Sequence, residues 1–211
     1  MKRPATILVA AIAPVPALAH EAFGDLGPFY ASLLHPLADT LQGAVVVGAA
    51  AVLAARPLER ARTGLPLFLA AAAAAQFVLA ALPDVAPPPL AIAASAMAAG
   101  IAAVIPARWT RGGALVPLLA VTGFLAGLAP GAATGLPEAT GTLLGIAILA
   151  TLGWAVLETL AHRVSFLAPR VAGAWVAAVG LLAVAFALGP MQDTASGQAM
   201  RATPPSDSAA P

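Results

Sequence analysis

The chain contains no cysteine, which excludes disulfide bridges, thiolate metal sites and cysteine nucleophiles. Charge is nearly as scarce: Asp, Glu, Lys and Arg make up 9% of the 211 residues, against about 25% in ordinary soluble domains. Histidine occurs only three times. No basic stretch interleaved with aromatics is present, so nucleic-acid binding has no support. A nucleophile elbow, a phosphate-binding glycine loop and an HExxH pattern are also missing, and enzyme activity is not expected. What is there is apolar, with 61% hydrophobic residues and a mean hydropathy of +0.93. So few polar residues cannot cover a water-facing surface, and the composition is that of an integral membrane protein.

The first nineteen residues, MKRPATILVAAIAPVPALA, read as a cleavable signal peptide. Lys2 and Arg3 precede a short apolar run, Pro14 and Pro16 break it, and Ala17 and Ala19 are the small residues a signal peptidase reads. The run is also too short for a bilayer, which needs about 20 apolar residues. Cleavage after Ala19 would leave His20 at the mature terminus, where imidazole and free amine together can chelate a metal. An exposed residue at a cleavage site is the simpler account of His20.

Residues 20–190 divide at clusters of proline, glycine and charge into six apolar segments, 28–55, 65–82, 89–107, 114–129, 139–157 and 171–188. In lipid each must be helical, because an open strand leaves backbone groups unpaired. The fold class is therefore all-α, a bundle of six transmembrane helices after the signal peptide. Arginine sets the orientation. The first loop carries Arg56, Arg60 and Arg62, the third Arg108 and Arg111, the fifth Arg163 and Arg170, and the second and fourth carry neither Lys nor Arg. Positive loops stay in the cytoplasm. The chain is thus expected to be a multi-pass protein of the bacterial inner membrane, with both mature ends in the periplasm. Residues 191–211, rich in Ser, Thr, Ala and Pro, read as a disordered periplasmic tail.

Small residues recur four apart. Gly123, Gly127 and Gly131 lie along the fourth segment and just past its end, and Gly141 and Gly145 lie in the fifth. Such spacing lets helix backbones approach where lipid supplies no hydrophobic drive, within one chain or between copies in a homo-oligomer. Chance in a chain with 19 glycines accounts for it about as well.

The costly residues lie in the first segment. His35, Asp39 and Gln42 fall at i, i+4 and i+7, on one face with Ser32. At 1.5 Å per residue Asp39 is about 15 Å from Phe29, near mid-bilayer, where an acid costs about 2.5–3.5 kcal/mol and function is the default reading. Pro36 cannot donate a backbone hydrogen bond, so it frees the Ser32 carbonyl and should bend the helix there. Imidazole, carboxylate and carbonyl oxygen together suit a divalent ion such as Ni²⁺ or Co²⁺, and they would equally serve a proton relay. The bland alternative pairs His35 and Asp39 with each other, or with Gln76 or Ser95, for packing alone. Glu138 reads as an acid at a helix N-terminus, Glu158 and His162 as interface groups, and Trp154 and Trp175 as packing residues or anchors.

The order of these features resembles the HupE/UreJ family, membrane proteins that accompany nickel hydrogenases and ureases. The resemblance rests on a signal peptide ending at Ala19-His20, the segment GPFYASLLHPL entering the first span, and a last span reading RVAGAWVAAVGLLAVAFAL. It implies a nickel or cobalt permease in which His20 and the His35-Pro36 pair match the family's histidines. Gln42 stands where the family's second first-span histidine is looked for, and an amide is a weaker ligand than imidazole. The leading expectation is a divalent metal permease or metal-homeostasis protein. Its metal residues would be His20, His35, Asp39 and Gln42, its partners the lipid bilayer and a divalent ion, with no cofactor bound permanently. The alternative is a membrane assembly subunit that moves nothing. A proton-coupled exporter ranks last, because spans two to six offer no second buried acid.

Overall fold

A computed structural model of the chain describes residues 27–82, 88–106, 113–129 and 135–189. The signal peptide, His20, Arg108, Arg111, Gly131 and the tail lie outside the described residues. Within them the protein is all-α, with seven helices: α1 Gly27–Ala38, α2 Thr40–Ala54, α3 Leu58–Ala81, α4 Pro89–Val104, α5 Leu115–Leu128, α6 Leu136–Arg163 and α7 Ala168–Leu188. Three of them, α3, α6 and α7, are long and apolar enough to cross a membrane. The pair α1 and α2 makes a fourth candidate span, bent by 70° at its break, and α4 and α5 are shorter apolar helices. The chain is a multi-pass membrane protein. Phe77, Leu152, Trp175 and Phe186 project outward, as side chains do where the solvent is lipid.

Because lipid is as apolar as the core, helix association has to come from close packing. The glycines supply it. A Cβ on Gly123 or Gly127 of α5 would strike the carbonyls of Phe68 and Ala72 on α3. On Gly141 or Gly145 of α6 it would strike the carbonyls of Phe29 and Leu33 on α1. Gly100 of α4 meets Gly173 and Ala177 of α7 in the same way, and Gly180 meets Met97. Three couples result, α1·α6, α3·α5 and α4·α7, and they are the most extensive helix contacts in the molecule. The small-residue spacing of α5 and α6 is thus used inside one chain.

The helix left over is the axis. α2 touches every other helix, and Val45, Val46, Ala49, Ala50, Ala51 and Val52 are wholly buried. Alanine, valine and glycine fill it because a helix enclosed on all sides has room only for short side chains.

Polar residues fasten the two ends. After α2, Arg56 donates through Nη2 to the Ala102 carbonyl at 2.7 Å and through Nη1 to that of Ile105 at 3.1 Å. A cation on the last carbonyls of α4 complements that helix's macrodipole. At the opposite end the last turn of α5 leaves its own carbonyls unpaired. Gln42 of α2 donates to Ala126 at 2.9 Å, and Gln76 of α3 donates to Gly127 at 2.6 Å.

Candidate functional site

The polar residues of the first segment do not lie on one continuous helix. Pro36 is accommodated inside α1 and is buried, and the chain leaves helical conformation three residues later. Asp39 has φ −83° and ψ 108°, and its carboxylate caps α2. Oδ1 accepts the N–H groups of Leu41 and Gln42, both at 2.8 Å. The bend therefore comes at Asp39, where a new helix is started, and not at Pro36. Gly43 makes the corner passable, since a Cβ there would lie 2.8 Å from the Pro36 carbonyl oxygen. The signal was legible in Asp39-Thr40-Leu41-Gln42, an acid followed three residues on by glutamine, the pattern of a helix start. Apolarity on both sides masks it.

The break brings the His35 and Gln42 side chains together and engages Asp39 Oδ1 in the first turn of α2. His35 Nδ1 is 2.9 Å from Gln42 Oε1. The Gln42 amide is fully buried, and its nitrogen is committed to the Ala126 carbonyl. Its oxygen can therefore only accept, and His35 must carry a proton on Nδ1. In neutral imidazole the lone pair then sits on Nε2, which has no hydrogen-bond partner among the described residues. This is the outer-shell arrangement that orients metal-ligating histidines. Gln42, expected as a secondary ligand, has both amide ends in use. Asp39 keeps Oδ2 outside its capping bonds, and its carboxylate is not bonded to His35.

Gln76 and Ser95 bond neither residue. Gln76 reaches Gly127, with its own Oε1 buried and unpaired, and Ser95 donates to Ile92. No group of three His, Asp or Glu residues gathers in a metal-holding arrangement among the described residues. Glu158 and His162 are 3.9 Å apart near the end of α6, remote in sequence and fold from the α1–α2 corner. Sequence reading missed the end of α5, whose backbone carbonyls have no signature of their own beyond the glycines and proline that follow.

Because Asp39 works as a cap, Asp39→Ala should cost about 1 kcal/mol of stability, and Asp39→Ser, which still caps, should recover most of it. Unfolding of the detergent-solubilised variants by SDS measures the difference. Equal stability of the Ala and Ser variants would mean that the cap contributes nothing.

The family model for HupE / UreJ protein matches residues 7–183 of the chain. No curated protein and no solved structure matches it.

Proposed function

The chain belongs to the HupE/UreJ family, and from that premise we propose that it is a permease for a divalent metal ion, nickel or cobalt. One observation carries the reading: His35, in a membrane helix, is oriented by Gln42 so that its Nε2 lone pair is left open. The ion would be taken from the outer side by His35 Nε2, with His20 and the second carboxylate oxygen of Asp39 as further donors. Nitrogen and oxygen donors of this kind suit Ni²⁺ and Co²⁺. Gln42 serves by holding the imidazole.

The proposed topology has six crossings, with both mature ends in the periplasm and the arginine-bearing linkers in the cytoplasm. Its support is the positive-inside rule together with the position of Arg56. That residue, in the α2–α3 linker, bonds the end of α4 and lines one groove with Arg170 of α7.

The second reading, a membrane assembly subunit whose His and Asp are structural, has its own support. Asp39 is occupied as a helix cap, and no third acid or histidine joins it among the described residues. Uptake of labelled nickel and cobalt by cells expressing the protein separates the two. Under the permease reading His35→Ala abolishes uptake, and Asp39→Ser lowers it although the cap survives. Uptake no greater than in empty cells for both metals would leave the assembly reading.

A further inference from the structure

The linkers after α2 and α6 enclose a groove of about 500 Å³ whose lining includes Arg56, Leu58, Glu158, His162, Phe166 and Arg170. Its charges are poorly compensated. Arg56 is buried, its two terminal nitrogens are committed to α4, and its Nε has no partner. Desolvation, then repulsion from Arg60 and Arg170, holds the Arg56 guanidinium below its ordinary pKa. Glu158, the acid of this lining, lies 3.9 Å from His162. The first turn of α7 also opens here. It has no side-chain cap and no acidic residue, so its dipole adds positive potential. Arg170 stands 5.8 Å from the centre of the Phe166 ring, at the lip of the groove. The walls are apolar, and both Leu58 and Phe166 are exposed.

A cationic floor between apolar walls, at the end of membrane-crossing helices, matches one class of ligand. We propose that the groove binds the phosphate headgroup of an anionic phospholipid. Arg170, Arg56 and the start of α7 face the phosphate, and an acyl chain lies along Leu58 and Phe166. The lipid would bridge the end of α2, the end of α6 and the start of α7, which all border the groove.

Native mass spectrometry of the full chain in detergent tests this. Dioleoylphosphatidylglycerol and dioleoylphosphatidylcholine would be titrated separately, and inorganic phosphate would serve as competitor. The glycerol lipid should be retained in preference to the choline lipid, and Arg170→Gln should weaken its retention about fivefold, the effect of one arginine at a membrane surface. Arg170→Lys should keep most of the preference, and Arg62→Gln, outside the groove, should keep all of it. Equal retention of the two lipids, or a preference unchanged in Arg170→Gln, would overturn the proposal. So would complete displacement by millimolar phosphate, which would make this a site for the free anion.

Discussion

Gln42→Leu should lower the stability of the solubilised protein by about 2–4 kcal/mol, because it strands two polar groups, each worth about 1–3 kcal/mol when buried without a partner. The Ala126 carbonyl at the end of α5 would lose its donor and the His35 Nδ1–H its acceptor. Gln42→Glu should be no better tolerated, since a carboxylate still accepts from His35 but sets a buried oxygen against the Ala126 carbonyl. The two losses are separable. In a His35→Leu background the Gln42→Leu step should cost less by about 1 kcal/mol, the coupling of two residues in direct contact. SDS unfolding of the four proteins of this cycle measures it. A Gln42→Leu variant as stable as the parent would sink the assignment of Gln42 as the link between α2, α5 and His35.

The second large effect is expected at Gly145→Val. A Cβ at this position meets the carbonyl group of Leu33 and comes within 3.2 Å of Pro36 Cδ. Backbone cannot swing aside as a flexible side chain does, so α1 has to move off α6. Overpacking of this kind costs about 3 kcal/mol. His35 travels with α1, so its bond to Gln42 should break as well. The result would be faster proteolysis within residues 27–38 and loss of whatever metal uptake the parent shows. Gly113→Val is the control, because nothing lies within 4 Å of a Cβ there. If both substitutions behave alike, the α1·α6 contact is not a tight one.

Each of the six apolar segments contains helix among the described residues, the first as two helices, and Arg56 and Arg170 line one groove. Apolarity reports which residues prefer lipid, and that was legible. It does not report where a helical backbone begins or ends. α3 starts at Leu58, well before the apolar stretch at 65, and takes Arg60 and Arg62 into its first turns. α6 runs on to Arg163, past the end expected at 157. The first segment reads as one helix because alanine, valine and leucine continue on both sides of Asp39. Its division depends on a capping bond that hydropathy cannot register. Likewise His35, Asp39 and Gln42 were identifiable as the costly residues, but their partners were not. In the sequence Gln42 reads as a weak ligand, because its partner, the Ala126 carbonyl, is 84 positions away and belongs to a backbone every residue shares. The close approach of α5 to α3 and of α6 to α1 was readable in the glycines. Which helix each would meet was not.

The enclosure of α2 has a consequence for any ion that reaches His35. Between Gln42 and Arg56 the helix rises about 21 Å. Over that length Val45, Val46, Ala49, Ala50, Val52 and Leu53 are at most 2% exposed. An unaccompanied charge entering such a column meets a barrier of tens of kcal/mol, so under the permease reading this arrangement would be a shut one. Crossing it requires the seal around α2 to part. The three couples are locked backbone to backbone and would have to travel as rigid pairs, with α1·α6 turning at Asp39. The carboxylate that starts α2 would then sit at the pivot of a gate.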